Sequence, residues 1–544
     1  MKILKTFIFA WAITSMAVAQ ERTVGIMLNG EETFNGYTLF SPHGNTSIYL
    51  INNCGEKVHE WYSTYFPGVS VYLTEDGSLY RAGKTSGTDL TAGGAGGIVE
   101  KFDWDGNLVW KYEYSTSQYR QHHDFQVLPN GNVLLLAWEL KTSEEALAAG
   151  RNPSLITEDA VWPEHVVEIK PIGSDGGEMV WEWHVWDHLV QDFDETKANY
   201  GSVSENINKI DLNFTNGGEG KADWIHANAL NYNPDLDQIM ISTRVFDELW
   251  VIDHNTTTEE AKGAAGDLIY RWGNPMAYKM GTEEDRKLFG QHNTHWIPAG
   301  LPDAGKIMVF NNGINRLDGK YTSIVKIDPA VSNEGRYNSD QGRFLPTDYD
   351  WEYVAPTPTD FYSWFISGAQ QLPNGNILID DGAHGTFFEI NAAGEMVWKY
   401  INPITIRGAL SQGDDIIPEG GTNPDNFVFR AIRYPHNYVG FSGKDLSSQG
   451  QLEQNPTAFD CQLVTSVVEE QLSYQIYPNP VSDYLNLDMK NYERKTVELV
   501  NFSGQVLVAS TVIGQGQLDV VSIKSGVYVL KVEGERPTKI VIQH

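Results

Sequence analysis

Apolar and polar residues alternate through short segments closed by tight turns, a pattern that predicts strands and hairpins rather than helices. The clearest copy is HDFQVLPNGNVL at 123–134, which returns as SGAQQLPNGNIL at 367–378. In each, an alternating segment runs into an Asn-Gly turn and a second apolar strand, a strong hairpin signal. Less regular hairpins occupy 73–80, 230–242 and 297–310. A second motif, Gly-x-apolar-apolar-Trp, appears at 106–110, 177–181 and 394–398, in stretched form at 266–272, and more weakly around Trp61 and Trp351. Four short strands per unit, six times over, predict a six-bladed β-propeller, in which each blade buries its faces against its neighbours. The unit around Trp61 lies near the start of the chain, whereas 427–438 supplies a strand without a Trp partner, so these two ends are expected to share one blade.

The texture changes after about residue 464. Short strands without the Trp repeat follow, from YPNP at 477–480 to GVYVLKV at 526–532 and KIVI at 539–542, and their alternation suits a small β-sandwich. At the other end, Lys2 and Lys5 precede an apolar run over 6–19 that closes on Ala17-Val18-Ala19. This reads as a signal peptide, too short to span a membrane. The expected organisation is all-β: a signal peptide at 1–19, a six-bladed β-propeller at 20–465, and a C-terminal β-sandwich at 466–544. The mature protein is expected outside the cytoplasm.

Composition adds three constraints. With 51 Gly, 16 Trp and 26 Tyr among 544 residues, the chain is rich in turns and aromatics, as a large β protein should be. A formal charge of −32 argues against nucleic acid or an anionic membrane surface as partner. An anionic substrate therefore needs a local cationic pocket. Only Cys54 and Cys461 are present, too few for a disulfide framework or a cysteine-rich metal site. A single disulfide clamping the two ends of the propeller and a pair of buried free thiols are both open readings. Inserts at 91–97 (glycine-rich), 143–150 (helix-like), 191–220 and 255–266 (polar) either roof one mouth of the channel or are plain solvated loops.

In a propeller the first strand of each blade lines the channel, so residues at one register converge on one small volume. Counting back five from the Leu or Ile before the hairpin turn gives His123, His292 and Ser367, and His226 best fills the place in the irregular hairpin between them. His122 should face the other side of its strand, unless a bulge swaps it with His123. His295 and His384 read as rim or supporting residues. His43, His59, His165, His184, His188 and His254 read as structural, and His436 as a surface residue.

These residues carry a resemblance. Gln121-His122-His123-Asp124, Asp223-Trp224-Ile225-His226-Ala227-Asn228 with Arg244 beyond it, and Gln291-His292-Asn293-Thr294 resemble the bacterial aryl-sulfate sulfotransferases over most of 35–445. The resemblance implies a propeller that moves a sulfuryl group between phenols without a cofactor. It makes His292 the nucleophile and His123, His226, Asn228 and Arg244 the groups that hold the sulfate, with Ser367 where the family uses a hydroxyl. His122 and His295 stand beside them as further substrate-binding candidates. The C-terminal stretches similarly resemble type A sorting domains of the type IX secretion system, which implies that this machinery is a partner and the outer-membrane surface or the medium a destination.

The chemistry suits these residue types. Sulfuryl transfer, like phosphoryl transfer, needs in-line attack and donors for charge spread over three equatorial oxygens. A neutral imidazole can attack sulfur and then release the group, giving a ping-pong route through a sulfohistidine. Arg244 offers two oxygens a planar fork. No Walker-type loop is present. Zinc or iron on the histidines would be repelled by Arg244, so no metal is expected. A non-catalytic propeller that binds sulfated or aromatic ligands is the competing reading. A quinoprotein-like dehydrogenase is disfavoured by six units rather than eight.

Overall fold

Alternation in the sequence becomes antiparallel sheet, and helix is confined to short pieces such as Ser143–Ala148, where Thr142 and Glu145 form a capping box. The computed structural model describes residues 22–218, 220–329, 331–332, 335–461, 474–489, 494–501, 505–533 and 537–544. The expected signal peptide lies outside them. The protein is all-β and contains many sheets.

Among the described residues, six antiparallel sheets of four or five strands precede the C-terminal module. Five begin with the strands Pro67–Leu73, Tyr119–Val127, Ala227–Asn233, His292–Trp296 and Gly368–Gln371, and each then continues outward in chain order. The remaining sheet is composite. Val428–Pro435, from the end of this region, pairs with Gly36–Pro42 and leads to Ser47–Ile51 and Lys57–Tyr62. First strands pack on one another in sequence, from Pro67–Leu73 through Gly368–Gln371 to Val428–Pro435, which packs on Pro67–Leu73 again. The sharing of one sheet by the two ends is thus present. A second join was not foreseen: Gly25–Asn29 adds an outer fifth strand to the sheet of Gly368–Gln371, pairing with Met396–Ile401.

The Trp repeat has a physical reason. Each of these outer-strand indoles is largely buried and donates its N–H to the next sheet: Trp61 to Asp103 O (3.0 Å), Trp110 to Gly176 O (2.9 Å), Trp181 to Thr256 Oγ1 (3.2 Å), Trp272 to Pro346 O (2.6 Å) and Trp398 to Asn53 O (2.8 Å). One side chain thereby fills the wedge between sheets and, in every case but Trp181, satisfies a carbonyl that the wedge would strand. Trp351 differs, lying half-buried under the Lys326 ammonium.

Cys54 and Cys461 are joined in a disulfide that spans 407 residues of sequence. It ties the turn after Ser47–Ile51 to the segment beyond the closing strand. Pinning so long a loop restricts the unfolded chain strongly, so the paired change Cys54→Ser and Cys461→Ser is expected to cost about 3–5 kcal/mol. A urea midpoint unchanged by that pair would show that strand pairing alone closes the sheet.

The C-terminal module is one hydrogen-bonded sheet of seven described strands. It folds around its own core, with Leu485, Leu487, Val497, Leu499, Leu530 and Ile540 all but fully buried. Val481 bridges to Ile542 in the last strand, so the alternation expected of a sandwich is present in a single continuous sheet.

Candidate functional site

The first strands are irregular where they approach one another. Pairing registers shift between Pro67 and Val71, opposite His122 and His123, between Ala227 and Ala229, and between His292 and His295. At these breaks non-glycine residues adopt left-handed backbone: Val69 (φ 85°), His123 (49°), His226 (53°), Asn293 (50°), and in the adjoining sheet Ile366 (50°) and Ser367 (90°). A bulge re-aims a side chain at the cost of backbone strain, and such strain concentrates at functional sites. Here it turns His123, His226 and His292 into one cavity of about 370 Å³, together with Arg244.

Each group is oriented by a neighbour. Asn312 donates through Nδ2 to Ser363 O (2.8 Å) and Ile366 O (3.0 Å), which leaves its Oδ1 facing His292 Nδ1 at 2.8 Å. His292 Nδ1 must therefore donate, and its Nε2 keeps an unprotonated lone pair. His226 Nδ1 donates to Asp223 Oδ2 at 2.5 Å. The His123 and His226 rings meet edge to face with centroids 4.8 Å apart. The Arg244 backbone N–H donates to His226 O (3.3 Å), and its half-buried guanidinium has no hydrogen bond or ion pair among the described residues. Gly94, with φ +76°, lies against the face of His123, where a Cβ would come within 2.1 Å of the ring. The glycine-rich insert is thus part of the wall.

Burial sets the protonation states. It holds His292 well below the ordinary histidine value, and Arg244 lowers it further. His123 is depressed by burial, then by the charges it would share with His226, His122, His292 and Arg244. Both are neutral at neutral pH.

The other predicted residues lie elsewhere. His122 packs behind His123, stacked on Trp138 with centroids 3.9 Å apart, and it is fully buried. Asn228 is fully buried and spends its amide N–H on Gln291 O (2.7 Å), beside His292. Ser367 Oγ bonds Ser363 Oγ (2.8 Å) and accepts from Gly382 N (3.0 Å). None of the three lines the cavity. His295 lines a separate cavity of about 230 Å³ with Tyr72, Asp124 and Arg430, and burial pushes it down to about 4.

The wall also holds residues that the sequence reading left out. His43, read there as structural, lines the cavity, as do Lys84 and the rings of Phe365, Phe427 and Phe429. His43 follows the strand Gly36–Pro42 in the composite sheet, and its ring lies 4.8 Å from that of Phe427. Phe365 lies just before the copy at 367–378 and Phe427 just before the strand Val428–Pro435, so the alternation within the strands carried no signal for their side chains.

Four imidazoles and an unpaired guanidinium thus surround an aromatic-walled cavity, a set of groups chemically suited to an anion attached to an apolar group. Residues 52–410 match the Arylsulfotransferase (ASST) family, and the chain belongs to it, which makes it a sulfotransferase by family. Residues 475–543 match the Secretion system C-terminal sorting domain. This type IX module directs the chain to the cell surface or outer membrane, and among the described residues no helix is long and apolar enough to cross a membrane. No curated protein sequence matches the chain. Similar solved structures include a protein of unknown function from Bacteroides caccae (13% identity, 68% of this chain and 94% of that one, TM-score 0.38). Others are hydrazine synthase from Kuenenia stuttgartiensis (15%, 53% and 66%, 0.31) and a virginiamycin B lyase from Staphylococcus aureus (8%, 70% and 89%, 0.32). None of these likenesses is close enough to bear on activity.

Proposed function

We propose that the six sheets are the blades of a propeller, and that the cavity at their first strands moves a sulfuryl group from a phenolic sulfate ester to a phenol. The observation that carries this reading is His292, whose Nδ1 is held as a donor by Asn312 while its Nε2 lone pair is left free in a cavity shared with Arg244. In the first half-reaction His292 Nε2 forms a bond to sulfur as the bond from sulfur to the aryl oxygen breaks. The product phenol leaves and a sulfohistidine remains. In the second, an acceptor phenol attacks that sulfur and frees the imidazole.

Arg244 donates to the equatorial oxygens, joined by His226 Nε2 when both nitrogens of that ring carry protons, and His123 gives the departing aryloxide its proton. Phe365, Phe427 and Phe429 offer the aryl ring an apolar face. Asn228 acts by holding the strand that carries His292, Ser367 by holding the turn beside it, and His295 takes no part. The ester itself is the sulfuryl donor, so no cofactor is needed. In this reading 1–19 is a signal peptide, 20–465 the catalytic unit and 466–544 the sorting module.

Incubation with 4-nitrophenyl sulfate in the absence of acceptor is expected to leave one sulfuryl group on the peptide that contains His292, mapped by mass spectrometry, and added phenol should remove it as phenyl sulfate. Binding of the ester with neither 4-nitrophenol release nor labelled His292 would favour a non-catalytic propeller that captures sulfated aromatics.

A further inference from the structure

The site continues behind His123. His123 Nδ1 lies 2.8 Å from His122 Nδ1, and His122 Nε2 lies 2.7 Å from Glu164 Oε2. Glu164 and His122 are fully buried and His123 is 3% exposed. The other carboxyl oxygen, Oε1, accepts from the Ala227 N–H at 2.7 Å, next to His226. Among the described residues Glu164 has no lysine or arginine partner, and His122 is its ion-pair neighbour. The stack on Trp138 holds the His122 ring so that each nitrogen meets one partner.

Two neutral imidazoles that meet Nδ1 to Nδ1 share one proton between them, so fixing one end of the row fixes the other. If Glu164 is protonated, its O–H donates to His122 Nε2, His122 Nδ1–H donates to His123 Nδ1, and His123 Nε2 carries a proton. If Glu164 is a carboxylate, every bond reverses and His123 Nε2 is a lone pair. From this geometry we infer that Glu164, acting through His122, is the proton store that switches His123 between acid and base in the two halves of sulfuryl transfer.

This rests on the transferase reading above. As the bond between sulfur and aryl oxygen breaks, the aryloxide takes the His123 Nε2 proton, His123 Nδ1 takes one from His122 Nδ1, and His122 Nε2 takes one from Glu164. The phenol leaves neutral, and the negative charge of the ester remains as the Glu164 carboxylate beside a sulfoimidazolium. An acceptor phenol reverses each transfer as its oxygen attacks sulfur. Burial, followed by the charge of Asp223, raises the Glu164 carboxyl well above the ordinary range, consistent with a resting acid. Neither Glu164 nor His122 touches substrate. Both are positioning residues, and their effect should depend on how much the leaving group needs a proton.

The test is Glu164→Gln, which keeps a donor to His122 and an acceptor for Ala227 but cannot yield the proton. Sulfo-enzyme formation is measured with phenyl sulfate, whose aryloxide needs a proton, and with 4-nitrophenyl sulfate, whose aryloxide does not. The variant is expected to slow phenyl sulfate by about 100-fold or more and 4-nitrophenyl sulfate by less than about 5-fold. In the unmutated protein, phenyl sulfate turnover in mixtures of light and heavy water should show more than one proton in flight. That measurement stands even if the variant fails to fold. Equal slowing of both esters, or a single proton in flight, would overturn the relay while sulfo-His292 still forms. Absence of any sulfo-enzyme in the unmutated protein would remove the transferase reading itself and the relay with it.

Discussion

Changing His292 to asparagine is expected to lower transfer from 4-nitrophenyl sulfate to phenol by about 10,000-fold or more, because the nucleophile that carries the sulfuryl group between donor and acceptor is removed. The substitution is sterically mild. Asparagine can still donate towards Asn312 Oδ1, so the strand His292–Trp296 and its neighbours should stay folded. Ester binding should survive, because Arg244, His226 and the phenylalanine wall are untouched. The expected pattern is therefore retained affinity with lost turnover and lost label. Substantial transfer by the variant would mean that sulfur passes directly from donor to acceptor, and that His292 is not the nucleophile.

Arg244 should produce the second-largest effect. Its guanidinium lies on the cavity wall without an ion pair among the described residues, in a protein whose formal charge is −32, so together with Lys84 it supplies the local positive charge that an anionic ester requires. Arg244→Gln is expected to lower kcat/KM by about 100- to 1000-fold. Lysine should recover little, because a point charge cannot hold two oxygens in a plane.

The same variant should change the pH profile. In the native site burial and Arg244 both disfavour the His292 imidazolium. The nucleophile therefore stays neutral as pH falls, and the acid limb of kcat/KM should lie well below the ordinary histidine value of about 6.5. Removing the cation raises the His292 pKa, so protonation sets in at higher pH and the limb should move up towards that value. A limb that does not move would separate Arg244 from His292 electrostatically, whatever the loss in rate.

The two levels of the structure were legible in the sequence to different degrees. Repeated units could be counted because the Asn-Gly hairpins and the Trp strands are local signals, and most of the repeat's indoles answer a local need, a carbonyl on the next sheet. Register against the turn also brought His123, His226 and His292 to one level. What the register cannot supply is direction. A bulge in Tyr119–Val127 decides that His123 faces the cavity while His122 backs onto Trp138, and one in His292–Trp296 sends His295 to a different cavity. His43 arrives through the composite sheet made from the two ends of the chain, a join that the sequence predicts, but no Asn-Gly hairpin follows His43 to give it a register. Asn312 and Glu164 approach from neighbouring strands, 20 and 42 residues from the histidines they touch, where no spacing rule applies. Asn228 was read as a sulfate contact from its motif; it lies off the cavity wall, where its Nδ2 donates to Gln291 O.

The placement of Cys461 has a consequence for the life of the protein after export. All strands of the six sheets precede it, and those of the C-terminal module follow it. A protease that trims the exported chain anywhere past that cysteine removes no strand from the catalytic region and leaves its fastening covalent. The delivery label can be discarded while the enzyme stays shut.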